Sequence, residues 1–98
     1  MSVLAELTIF PTDKGESVSA YVARALAVIR KSGLPHALNP MGTCIEGEWG
    51  PVMDVVRQCV EELSTDCNRI NVNLKLDIRQ GREHGLTAKL ESVRKKLR

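Results

Sequence analysis

Aromatic side chains are almost absent from this chain: one Phe, one Tyr and one Trp make up 3% of 98 residues. RNA modules that stack bases carry aromatics on their central strands, and here Phe10 is the one aromatic in a strand-like segment, which argues against that kind of nucleic-acid recognition. The core must therefore be built from Val, Leu, Ile and Ala. Cysteine is also scarce. Cys44, Cys59 and Cys67 are odd in number and lack CxxC spacing, so no disulfide framework, zinc ribbon or four-cysteine cluster is indicated, and they read as reduced packing residues. Long apolar runs are missing too: nothing approaches the ~20 residues of a membrane span. Met1 leads into an alternating pattern rather than a basic leader, so a soluble cytoplasmic protein is expected. Charge is nearly balanced, with 14 Lys and Arg against 12 Asp and Glu. Five basic residues crowd the last ten positions, a bias too weak to argue for nucleic acid.

Apolar residues make up 43% and charged residues 27%, a globular composition, and the length suits one domain over residues 1–98. From Val3 to Phe10 the odd positions are apolar while Glu6 and Thr8 lie on the other face, the signature of a half-buried strand. Pro11 and the polar run Thr12 to Glu16 end it. Val18, Tyr21, Val22, Ala25, Leu26 and Ile29 then recur at helical spacing, with Ser17 as the expected cap and Gly33 as the stop. Pro35 to Gly47 holds two short extended runs around a Pro40 to Gly42 break, which predicts a hairpin. Pro51 is expected at the first position of a second helix, whose buried stripe is Val52, Val55, Val56, Cys59, Val60 and Leu63. Arg69 to Arg79 alternates strictly, Ile70, Val72, Leu74, Leu76 and Ile78 against polar residues. After a Gly81 to Gly85 loop, Thr87 is placed to cap a terminal helix with a narrow stripe of Leu90, Val93 and Leu97.

This order predicts an α+β class, a ferredoxin-like βαββαβ sandwich with an additional C-terminal helix. Its antiparallel sheet has the order 4-1-3-2 and carries two helices on one face. Glu6 and Thr8 then share the opposite, open face with Asn71, Asn73 and Lys75. A face mixing Leu4 and Phe10 with a carboxylate, a hydroxyl and carboxamides suits either a small-molecule site or contact with another subunit. The long last strand lies at an edge, and such strands are usually covered or paired.

Several kinds of chemistry lack their residues. Gly42, Gly47 and Gly50 have no phosphate-loop spacing. His36 and His84 have no partners at metal-ligand spacing, so no metal is expected. The loop after the first strand has no Arg, unlike the phosphate cradle of acylphosphatases. No nucleophile and base can be paired, so catalytic residues are expected to be none and the chain is not expected to be an enzyme. Glu6 is open to two readings, recognition of an amine or ring nitrogen, or a cross-strand pair with Lys75. Thr43 and Glu46 beside the Gly42 break read either as ligand groups or as ordinary hairpin polarity. Trp49 reads as a core or interface anchor or as a ligand stacker.

Three stretches together resemble a known family. They are Ala5 to Ile9 with Pro11, Leu38 to Gly47, and Lys75 to Arg79 followed by a Lys-rich helix containing Leu90 to Val93; Pro40-Met41-Gly42-Thr43 followed by Glu46-Gly47 is the most specific part. The chain is similar to the small thiamine-binding-protein-like family related to the YkoF proteins. That resemblance implies a ferredoxin-like fold, homodimers or homotetramers, and a non-catalytic role in binding thiamine or its hydroxymethylpyrimidine moiety, with no other cofactor. The ligand groups it implies are Glu6, Thr8, Thr43 and Glu46, together with Asn39 and Asn73. One departure bears on the ligand: a thiazolium cation is well held by aromatic faces, which this chain hardly has. The alternative is a structural or regulatory oligomerisation domain with no ligand.

Overall fold

The computed structural model describes residues 2–81 and 84–97; residues 82–83 of the expected Gly81 to Gly85 loop and Arg98 of the basic cluster lie outside them. The elements run β1 (Ser2–Pro11), α1 (Ser19–Ser32), β2 (His36–Asn39), β3 (Gly42–Gly47), α2 (Trp49–Ser64), β4 (Ile70–Arg79) and α3 (Gly85–Lys96). All neighbouring strands are antiparallel, in the order β2-β3-β1-β4, which is the ferredoxin-like arrangement with one added helix.

Strand period decides the faces. Cross-strand partners share a face, so Ala5 with Ile45 and Leu76, and Leu7 with Thr43 and Leu74, form rows on the helix side. Leu4 with Glu46 and Asp77, and Glu6 with Cys44 and Lys75, form rows on the opposite side. The core is accordingly aliphatic. Val3, Ala5, Leu7, Ile9 and Ile45 from the sheet meet Ala25 and Ile29 of α1 and Val52, Val55, Val56, Cys59 and Leu63 of α2.

Both long helices lie on that face, and Arg24 fastens α1 to the C-terminus of α2. Its guanidinium donates to Glu62 Oε1 (3.2 Å), Asp66 Oδ2 (3.0 Å) and the Glu62 carbonyl (2.8 Å). It also lies 5.5 Å from the centre of the Tyr21 ring. A cation at a helix C-terminus is favourable because the last carbonyls have no partners within the helix. Gly33 ends α1 in the left-handed region with φ 77°, as its sequence position implies.

The helix starts differ from the sequence expectation. Val18, not Ser17, occupies the cap position of α1, and its carbonyl accepts from Tyr21 N and Val22 N, both at 3.0 Å. Pro51 is the third residue of α2 rather than the first, still within the turn whose amides have no helical acceptor. Thr87 lies inside α3, and His84 holds the cap position with φ 55°.

Two larger departures concern the sheet's surfaces. The apolar row of β4 is only partly covered by the helices: Val72 is 40% and Ile78 45% exposed. Helices α1 and α2 sit over β1 and β3, leaving the edge strand beyond them. The opposite face, expected to be open, carries α3 over part of its area. Lys89 of α3 bridges Asp77 of β4 at 2.7 Å, and a shallow cleft beneath it is lined by Leu4, Cys44, Leu86 and Leu90.

Candidate ligand-binding site

The residues nominated by sequence divide between the two sides of the sheet. Thr43 and Glu46 are three positions apart on one strand, an odd separation, so their side chains leave on opposite faces. Thr43 falls on the helix side, opposite Leu7 of β1 and Leu38 of β2. There it lines a cavity of about 190 Å³ at the end of the sheet, between α1 and the β2–β3 turn. The walls include Ile9, Val22, Leu26, Ile29, Leu38 and Met41, and no charged residue lines it. Thr43 is 6% exposed, and its hydroxyl has no hydrogen-bond partner among the described residues. Most buried polar groups are satisfied, and an unmet hydroxyl costs about 1–3 kcal/mol. Thr43 therefore places a hydroxyl on the wall of an otherwise largely apolar cavity.

Thr8 and Asn39 also contribute to the cavity lining, but their side chains are engaged elsewhere. The Thr8 hydroxyl donates to the Met41 carbonyl at 2.8 Å, fastening the β2–β3 turn to β1. This closeness explains Gly42: a Cβ there would lie 2.9 Å from Thr8 Oγ1 and 3.0 Å from the Leu7 carbonyl. Asn39 makes long contacts, both 3.5 Å, to the Ala37 carbonyl and Cys44 Sγ.

Glu46 is 8% exposed and serves α3. Its carboxylate accepts from the amide of Gly85 and, at 3.5 Å, from that of Leu86. The next two amides, Thr87 N and Ala88 N, donate to the His84 carbonyl. All four donors of the first turn are thus met, and the cap comes from β3 rather than from the neighbouring sequence. Glu6 is exposed beside Cys44 and Lys75. The cross-strand ion pair with Lys75, one of the two readings of Glu6, is not formed although the two residues are register partners. Asn73, opposite Thr8 on β4, donates to Asn71 Oδ1 at 3.1 Å. Trp49 is 44% exposed and does not line the cavity. The structure thus brings Thr8, Asn39 and Thr43 to the lining of one cavity, which Glu6, Glu46 and Asn73 do not reach.

The sequence reading missed the α1 wall. Val18, Val22 and Leu26 line the cavity, and all three are only partly buried, whereas their helical spacing marks them simply as core. The thiols take no part. Burial pushes Cys59 up to about 11. Burial, then the Glu6 charge, raises Cys44, and burial, then Asp66, raises Cys67. All three are free. Among the described residues no three His, Cys, Asp or Glu side chains are grouped to hold a metal ion, and no helix is long and apolar enough to cross a membrane.

The fold and the cavity define a ferredoxin-like α+β domain with a small apolar chamber beside its β2–β3 turn. The sequence profile described as thiamine-binding protein matches residues 5–94, and the chain belongs to that family. It is 38% identical over 98 residues to the UPF0045 protein Mb1933 of Mycobacterium bovis, covering 99% of this chain and 96% of that one. The crystal structure of MJ1052 from Methanocaldococcus jannaschii superposes with a TM-score of 0.87 at 34% identity, covering 94% and 95% of the two chains. A Thermotoga maritima protein, TM0486, assigned provisionally to thiamine biosynthesis or salvage, shares the fold with a TM-score of 0.82 at 21% identity, covering 94% and 99%.

Proposed function

We propose that this chain is a cytoplasmic, non-catalytic binding protein for thiamine or its hydroxymethylpyrimidine moiety, acting as carrier, sensor or buffer, with no further cofactor. The observation that carries this reading is the buried, unpartnered Thr43 hydroxyl in an apolar cavity, in a chain of the thiamine-binding protein family. Pockets for small molecules pair apolar walls with a few polar groups that fix orientation. An aminopyrimidine offers a ring nitrogen and an amine to such a hydroxyl, and flat faces to Val22, Leu26 and Leu38. Two features favour binding over catalysis: the cavity has no titratable side chain, and burial raises all three thiols, away from the reactive thiolate form.

Calorimetric titration with thiamine and with hydroxymethylpyrimidine tests it. Saturable heat is expected with at least one of them, and none with either at millimolar ligand would sink the reading. Glu6→Gln separates the two faces. With the ligand in the cavity its affinity stays within about twofold of the parent, whereas a tenfold loss, ~1.4 kcal/mol, would put the ligand on the Glu6 face.

Self-association is the second element of the proposal, as a dimer or tetramer. The outer edge of β4 is ten residues long, and Val72 and Ile78 stand exposed beside it. Such an edge templates pairing with another strand, and the same edge of a second copy meets it antiparallel. Sedimentation of the parent should give a dimer or larger at micromolar concentration, and the double variant Val72→Lys, Ile78→Lys should run as a folded monomer. A parent already monomeric would end this part of the proposal.

A further inference from the structure

We infer that Thr8 is a positioning residue for this cavity: its hydroxyl latches the β2–β3 turn to β1, and that turn is the movable wall past which a ligand enters and leaves. This rests on the binding reading above and adds a gate to it. Pairing between β1 and β3 stops at Leu7 with Thr43, whereas β1 runs on to Pro11 beside β4. The tip of the β2–β3 hairpin, residues 39–42, therefore overhangs the end of that ladder. Its outer strand, β2, is the four-residue edge of the sheet and pairs with β3 alone. Among the described residues, one side-chain hydrogen bond reaches the tip from another element, that from Thr8 Oγ1 to the Met41 carbonyl at 2.8 Å. The same tip walls the cavity: Leu38, Met41 and Gly42 line it across from α1. Leu38 is 56% and Met41 82% exposed, so little packing resists an outward swing of the turn. Thr8 acts on the cavity through the turn. Successive side chains leave a strand on opposite faces, so Thr8 departs from the face of Leu7 and Ile9, and its hydroxyl is already given to Met41.

The latch is tested first without ligand, by hydrogen exchange on the intact chain. One hydrogen bond changes such an equilibrium by a factor of about 2 to 10. Thr8→Val, similar in shape but lacking the donor, should therefore speed exchange of residues 38–43 by about that factor, while β4 and the helices keep their protection. Thr8→Ser should restore the parent rate. Gly42→Ala should match Thr8→Val by a different route, since its Cβ would lie 2.9 Å from Thr8 Oγ1 and 3.0 Å from the Leu7 carbonyl and lift the turn off β1. A merely structural Thr8 would instead speed exchange along β1 and β4 together. The gate is tested second, with thiamine and hydroxymethylpyrimidine as probes in stopped-flow measurements. Whichever binds the parent should leave Thr8→Val about 2 to 10 times faster, with association not slowed. Unchanged exchange at residues 38–43, or unchanged dissociation, overturns the inference and leaves the binding reading in place. Loss of affinity with unchanged ligand-free exchange would make Thr8 a direct ligand contact and likewise overturn it. Binding of neither probe to the parent removes the binding reading, and the gate with it.

Discussion

Ile45→Ala should cost about 3 kcal/mol, within the ~2–5 kcal/mol typical of buried Ile to Ala changes. Ile45 is fully buried in β3, one of the two central strands, with Ala5 of β1 opposite it on one side and His36 of β2 on the other. Ala5 fills little space, so the neighbouring strand has no large side chain able to close over the gap. The helices above, held together through Arg24, have little freedom to sink. A domain of this size has roughly 5–15 kcal/mol in total, and each kcal/mol moves the midpoint by about 4–8 °C. The melting temperature should therefore fall by on the order of 15 °C, with an unchanged denaturant slope. Ile78→Ala supplies the contrast: at 45% exposure on the edge strand it should cost under ~1 kcal/mol. Equal losses at the two sites would mean that the core is not centred on β3.

Glu46→Ala should release α3. Without the carboxylate, the amides of Gly85 and Leu86 lose their acceptor, and within the described part of α3 the one buried residue is Gly85. The bridge from Lys89 to Asp77 is half exposed, and such pairs contribute about 0–1 kcal/mol. A twelve-residue helix without tertiary support is marginal in water. Loss of the anchor, worth ~1–3 kcal/mol, should speed hydrogen exchange of the α3 amides by roughly 5- to 150-fold and reduce helical circular dichroism. The sheet amides should keep their protection. Glu46→Gln retains one carbonyl acceptor and should fall between the two. Unchanged protection of α3 in Glu46→Ala would show that other contacts hold it.

Element order, sheet order and the identity of the two faces were legible because they follow from periodicity. Ile70 to Arg79 alternates strictly and Val3 to Phe10 keeps every odd position apolar, so a one-residue slip would turn each strand's side chains to the wrong face. The role of Glu46 was not legible, because its partners lie 39 and 40 residues later in the chain and nothing local marks a carboxylate that caps a distant helix. The cavity was hidden for a different reason. A helical stripe looks the same whether Val22 and Leu26 press against the sheet or stand back from it. The split between Thr43 and Glu46 was written in their odd spacing; grouping them as neighbours of the Gly42 break passed over it.

Four successive residues of β3 touch four different environments. Thr43 belongs to the cavity, Cys44 to the exposed charged row, Ile45 to the core and Glu46 to the start of α3. Point changes there damage one environment at a time. An insertion or deletion of a single residue would exchange all four at once, turning Glu46 toward the core and Ile45 toward the helix cap. Length variation is therefore better tolerated in the turns at either end of α1 than anywhere between Gly42 and Gly47.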